Sequence, residues 1–395
     1  MNFNPRDSSL FVGEGRDAMF ARLRERGELC LDSNGVVPIY SLVRYADVER
    51  AYKEPELFSP CAGLTLDAFD PGGCDSPSKM LETAPPDRHR ALRSAMQGAF
   101  RGEGLATIRG DTEDRLDRFL AAAPTDSAVE FVEAFAAGAA TGMMRTLLGA
   151  TGESERLTSA LGAIGGLDFG DSPSSTMRRQ TTELRLLREL TRTVRDHREE
   201  GRAGGLIGML LEAEVEGERL DDGEVALNCF NVAVAGTGAS QHTLAGAAAV
   251  WAERPACLDA VAANPQLGRR LIDETLRWLT PVLHLTRVLT ADVEIRGQTL
   301  PKGAGVCLWN ISANRDEEAF ADASRFEPER PPARNLAFGA GPQYCLGAEV
   351  VRTQLDVLLA AMARHGARFE LAEPPTWMRS NAIAGVESLS LRVRP

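Results

Sequence analysis

The chain has 395 residues, of which 44% are hydrophobic and 25% charged. That is the balance of a globular enzyme able to bury most of its apolar surface without disulfides or a metal, and it excludes a disordered or fibrous chain. The net charge of -12 argues against nucleic acid as a partner, and seven cysteines (30, 61, 74, 229, 257, 307, 345) without a C-x-x-C exclude a disulfide framework or a zinc ribbon.

Reduced thiols and an N-terminus with no apolar signal segment predict a cytoplasmic protein with no membrane anchor. In chain order, apolar residues at three-to-four spacing predict helices over 16–27, 45–53, 87–100, 107–123, 127–149, 176–201, 204–214 and 266–279. Alternating or β-branched stretches at 36–43, 285–296, 304–308 and 387–393 predict small peripheral sheets.

Between 225 and 252 lie 28 residues without a formal charge, long enough to span a bilayer. Asn228, Asn231, Thr237, Ser240, Gln241, His242 and Thr243 would each be costly in lipid, so the stretch reads as a central helix of a large protein. Gly236 and Gly238 in its middle cost up to about 1 kcal/mol each against alanine, which calls for close helix packing or a local opening. From 323 to 346 all periodicity stops, before a last helix from 348 to about 365. An irregular segment this long inside a compact protein is usually functional. No repeat or flexible linker divides the chain, so 1–395 is expected to be one domain, mainly α with small β-sheets.

Gly13-Glu14-Gly15-Arg16-Asp17-Ala18 fits a loose dinucleotide pattern but follows no buried strand. Phosphate-loop, G-x-S-x-G and H-E-x-x-H motifs are absent, and the five histidines are not spaced to chelate a metal. The informative motif closes the irregular segment: Phe338-Gly339-Ala340-Gly341-Pro342-Gln343-Tyr344-Cys345-Leu346-Gly347. A cysteine in a glycine-rich loop just before a helix N-terminus has its thiolate stabilised by backbone N–H groups and the helix dipole, which suits a soft axial ligand for haem iron. Taken alone, Cys345 reads as a buried structural thiol before it reads as a ligand.

This segment resembles the cysteine-ligand loop of the cytochrome P-450 superfamily, F-x-x-G-x-x-x-C-x-G, matched by Phe338, Gly341, Cys345 and Gly347. The order and spacing of the other motifs agree, so the resemblance covers nearly the whole chain. Glu274 and Arg277 match the family's E-x-x-R, and Phe326, Pro328 and Arg330 match the loop whose arginine completes that ion-pair cluster. His89 and Arg93 match H-x-x-x-R, and Arg287 stands at the position of a propionate-binding arginine. Haem carries two carboxylates, which need cationic donors once buried. Phe338, Gly339, Gln343 and Gly347 complete the implied cofactor contacts, with Gln343 replacing the histidine that many relatives carry.

In the central helix, Ala235-Gly236-Thr237-Gly238-Ala239-Ser240 aligns with A-G-x-(D/E)-T-(T/S), so the proton-delivering acid and alcohol are replaced by Gly238 and Ala239. Thr237 and Ser240 flank them. The resemblance implies the triangular, helix-rich cytochrome P-450 fold, with haem b between the long central helix and the Cys345 loop. It implies a bacterial-type monooxygenase acting on a small natural product, free or carrier-bound. The departure at Gly238 and Ala239 leaves three proton routes: assistance by a substrate group, which is favoured, substitution by Ser240 or His284, or a reaction other than ordinary hydroxylation. Two alternatives stand beside it: an oxidase that couples, closes rings or desaturates without inserting oxygen, and a non-catalytic haem sensor or carrier. A ferredoxin or flavodoxin would supply electrons near Arg88, Arg90, Arg101 and Arg352, and no nucleic acid or membrane is expected as partner. Substrate would meet 60–80, 160–180, 228–239, 281–286 and 381–386, with Asn231, Ala235, His284 and Ile383 as contacts.

Overall fold

In the computed structural model of the chain, residues 3–13, 15–27, 29–32, 37–76, 78–124, 126–150, 152, 155–167, 173–331 and 333–394 are described. Parts of the expectations above, at Glu14, residue 77, residues 168–172 and Pro332, lie outside them.

The helices are α1 (Gly15–Arg26), α2 (Tyr45–Lys53), α3 (Pro86–Met96), α4 (Gly102–Ala122), α5 (Ala137–Leu148), α6 (Glu155–Gly165), α7 (Pro173–Glu200), α8 (Gly205–Glu212), α9 (Asp222–Glu253), α10 (Pro255–Ala263), α11 (Gly268–Leu279), α12 (Asn310–Ala313) and α13 (Ala348–His365). At 32 residues α9 is about 48 Å long and runs through the middle of the molecule. Its start is set by a capping box in which the Asp221 carboxylate accepts from Glu224 N and Glu224 accepts from Asp221 N. At its other end Pro255 opens α10. Small buried residues from Leu244 to Trp251 let α11, α13 and the Phe131–Phe135 region pack closely around its C-terminal half. Its N-terminal half packs with α5, α6, α7 and α8. Among the described residues no helix is long and apolar enough to cross a membrane.

The main sheet holds β1 (Cys30–Asp32), β2 (Ile39–Leu42), β3 (Phe58–Ser59), β4 (His284–Leu289) and β5 (Gly305–Trp309), in the order β1-β2-β5-β4-β3. Only β5 and β2 run parallel, with Val306 opposite Tyr40, and antiparallel pairing puts Val306 opposite Arg287 on β4. The sheet thereby places Arg287 at the interior. The irregular segment is coil and turn as expected, apart from a short 3-10 turn at Gly341–Gln343.

Several expectations are corrected. The stretch 127–149 is a strand (Val129–Glu130), a π-helical turn (Val132–Ala136) and only then α5. The stretch 285–296 is β4 followed by the hairpin Val293–Ile295 and Gln298–Leu300. Helices α6 and α10, of 11 and 9 residues, are not among the expected elements. The thiols are not all reduced: Cys61 and Cys74 form a disulfide, and Cys30, Cys229, Cys257, Cys307 and Cys345 are free. The two sulfurs meet because the 3-10 turn Pro71–Cys74 folds back onto the loop after β3, a tertiary event that cysteine spacing does not report.

Candidate active site

Cys345 sits between the 3-10 turn and α13. Its N–H donates to the Phe338 carbonyl at 3.0 Å, and the loop is closed by Tyr344 N to Gly341 O at 3.1 Å and Gly339 N to Leu336 O at 3.0 Å. Gly341 (φ 67°) lies against α2, where a Cβ would come within 2.7 Å of the Tyr52 carbonyl, so a side chain there is excluded by both conformation and space. The Cys345 thiol is pushed above its ordinary range by desolvation, while the Gly347 N–H and the arginines 93 and 352 act in the opposite sense. It nevertheless retains accessible surface. A sulfur both desolvated and accessible borders an internal space.

Behind the loop, Glu274 and Arg277 on α11 form a buried two-pronged ion pair, Nη2 to Oε1 and Nε to Oε2 at 2.7 Å each. Arg330 Nε reaches Glu274 Oε2 at 3.2 Å, and the Glu327 N–H donates to Oε1 at 2.7 Å. Arg277 also donates to the carbonyls of Asn314, Ala323 and Arg325 at 2.7, 3.0 and 2.9 Å. Asn314 accepts from Leu336 N at 2.7 Å, carrying the brace into the strand of chain that leads to Phe338. Arg352 stacks over the Phe338 ring at 4.9 Å and donates to the Tyr344 hydroxyl at 2.9 Å.

Arg287 is buried, stacked over Tyr52 at 5.6 Å, and donates to Thr286 O at 2.7 Å and Gln343 Oε1 at 2.8 Å. Its Nε is buried with no partner. Gln343 therefore orients Arg287 through its carbonyl, a role not anticipated from its replacement of histidine. Among the described residues the His89 ring and the Arg93 guanidinium make no hydrogen bond, and burial lowers the pKa of both. A cationic interior with unpartnered N–H groups, a backbone cradle that excludes Cβ atoms and a facing thiol fit a haem: Cys345 would hold the iron, and His89, Arg93 and Arg287 would hold the propionates. Arg93→Ala or Arg287→Ala is expected to speed haem loss to a haem-free acceptor by about tenfold or more, exceeding the effect of Gln343→Ala, because each leaves a buried carboxylate short of a cation. Equal loss rates in all three variants would contradict this assignment.

On α9, residues 231, 235 and 239 recur at four-residue spacing and share one face. Ala235 is exposed and Ala239 partly so, whereas Asn231, Ala233, Thr237, Gly238 and Ser240 around them are buried. Gly238 is turned elsewhere: a Cβ there would meet Ile164 O of α6 at 3.8 Å. The two residues offered as substitutes for the missing acid and alcohol, Ser240 and His284, are both engaged elsewhere. Ser240 donates to Gln354 Oε1 at 2.6 Å in a buried pair, while the Thr237 hydroxyl is buried without a partner and its methyl lies 3.8 Å from where a Cβ on Gly165 of α6 would stand. His284 is removed as a contact, because its Nδ1 faces Asn381 O at 2.9 Å, its Nε2 accepts from Leu66 N at 3.1 Å, and burial lowers its pKa to about 4. Ile383 is partly buried and bridges to Val282.

The arginines proposed as a basic footprint are mostly committed. Arg88 is ion-paired to Glu216 and Glu224, and Arg352 to Asp273 and Glu349, whereas Arg101 is exposed and pairs with nothing among the described residues. One interior residue was missed by sequence reasoning. Glu82, on the turn Leu81–Thr83, accepts from Asn231 Nδ2 at 2.7 Å, and desolvation raises its pKa. Its only sequence signal is an acid flanked by Leu81 and Ala84, both buried.

A cysteine loop facing a long central helix across a cationic interior defines a haem-thiolate oxidoreductase. The family model for cytochrome P450 matches residues 249–382. The chain is 28% identical to a methyl-branched lipid omega-hydroxylase of Mycobacterium bovis, over 95% of this chain and 90% of that one. A solved mutant of P450 EryK in complex with erythromycin B superposes with a TM-score of 0.83 at 25% identity, covering 98% of this chain and 97% of that one. The crystal structure of P450 OxyD, involved in the biosynthesis of vancomycin-type antibiotics, superposes with a TM-score of 0.86 at 23% identity over 99% of both chains. These matches support the cytochrome P450 superfamily and an oxidoreductase, and that family implies a haem iron cofactor.

Proposed function

We propose that residues 1–395 act as one catalytic unit, a monooxygenase with haem b, that oxidises a small natural-product-type substrate using electrons from a ferredoxin or flavodoxin. Bound haem supplies activation of dioxygen at its iron. Cys345 holds the iron from one side, and the stripe Asn231, Ala235 and Ala239 forms the substrate wall on the other. The observation that carries the substrate-assisted reading is the lack of any free hydroxyl or acid from α9 on that stripe. Ala239 has none, Ser240 is bonded to Gln354, and Thr243 donates to the Ala239 carbonyl at 2.6 Å. A general acid is typically worth about two to four orders of magnitude in rate, so a substrate group that orders water here replaces what the helix lacks. Among the named relatives one is a methyl-branched lipid omega-hydroxylase and another is in complex with erythromycin B, which supports a small organic substrate.

The test compares product formed per reducing equivalent for the substrate and for an analogue lacking its hydrogen-bonding group. The analogue is expected to lower coupling in wild type by about tenfold or more, and Ala239→Thr to restore part of it. Unchanged coupling with the analogue would place the proton source in the protein and overturn substrate assistance.

A further inference from the structure

Glu82 is the carboxylate that the proposed mechanism leaves unused. It follows Leu81 and precedes Ala84, both buried, and its carboxylate is tied at 2.7 Å to Asn231, itself a buried residue of α9. Asn228, one turn earlier, fixes this turn to the helix by accepting from Leu81 N at 2.9 Å and donating to Lys79 O at 3.0 Å, so Glu82 is held at the Asn231 end of the stripe by three hydrogen bonds. It retains some accessible surface and lies near enough to Arg287 and Cys345 to sense their charges. No arginine or lysine nitrogen lies within ion-pair distance of it among the described residues, whereas the buried acids Glu274 and Asp316 are each held by an arginine. A desolvated carboxylate with a single amide donor is incompletely satisfied.

We propose that Glu82 is a specificity-determining residue that receives a cationic nitrogen of the substrate, a protonated amine or a quaternary ammonium, at the Asn231 end of the stripe. The inference rests on the substrate-pocket reading above. Between Asn231 and Ala239 the helix rises about 12 Å, room for an elongated molecule anchored at one end by charge and lying on two alanines toward the other. Asn231 is then a positioning residue that holds the carboxylate toward the interior.

The test uses the haem-loaded protein and calorimetric titration with decyltrimethylammonium, whose quaternary nitrogen cannot ligate iron, and with n-decanol as the neutral probe of equal chain length. Wild type is expected to prefer the cation by about tenfold or more. Glu82→Gln, which can still accept from Asn231, should abolish that preference while leaving decanol affinity unchanged, and Glu82→Asp should retain part of it. Lack of a cation preference in wild type, including failure to bind either probe, or an undiminished preference in Glu82→Gln overturns the proposal. The reduced carbonyl spectrum of the same samples reports separately on the haem-thiolate pocket, so a failed charge preference with an intact thiolate band rejects the role of Glu82 alone.

Discussion

In Cys345→Ala the red-shifted carbonyl band of a thiolate-ligated iron is expected to disappear completely, while wild type shows it in full. No second thiol can take over. Cys229, Cys257 and Cys307 are buried with their pKa values pushed up by desolvation, and Cys61 and Cys74 are consumed by their disulfide. The remaining free thiol, Cys30, lies at the far edge of the main sheet, separated from β4 and Arg287 by β2 and β5. The loop itself should survive the change, because its fold rests on the Cys345 N–H, the two glycines and Tyr52 and not on the sulfur. A thiolate band of normal intensity in the variant would sink the ligand assignment.

Arg277→Ala should cause the largest loss of stability, about 3–5 kcal/mol, since removing one partner of a buried ion pair strands the other. Glu274 would keep only Arg330 and the Glu327 N–H, and the carbonyls of Asn314, Ala323 and Arg325 would each lose a donor. Arg277→Lys should recover little of this, because an ammonium cannot reproduce the two-pronged contact and the three carbonyl bonds together. Thermal unfolding of the haem-loaded proteins checks it. A melting temperature within experimental error of wild type for Arg277→Ala would mean that the network does not brace the fold.

How far the sequence could be read follows from how far apart the partners lie. The Cys345 loop was legible because its turn residues, its ligand and the start of α13 are contiguous. Glu274 and Arg277 were legible as a pair three residues apart, with Arg330 added by its own local motif. The unread features all depend on long-range contact. Glu82 meets Asn231 across 149 positions, Ser240 is taken by Gln354 across 114, and His284 is closed off by Leu66 across 218. Thr237 and Gly238 looked like cavity residues by alignment alone, but the 100° advance per residue turns them toward α6 and leaves Ala235 and Ala239 facing inward.

The Cys61–Cys74 bond has a mechanical meaning for the chain in front of the pocket. It converts the segment from Cys61 to Cys74 into a covalent ring, pinned by Thr286 N to Leu64 O at 2.9 Å, by Thr286 Oγ1 to Gly63 O at 2.8 Å and by His284 Nε2 against Leu66 N. The ends of such a ring cannot part, and three of its hydrogen bonds go to His284 and Thr286, so the disulfide fastens residues 61–74 to β4 by a covalent clasp and not by packing alone.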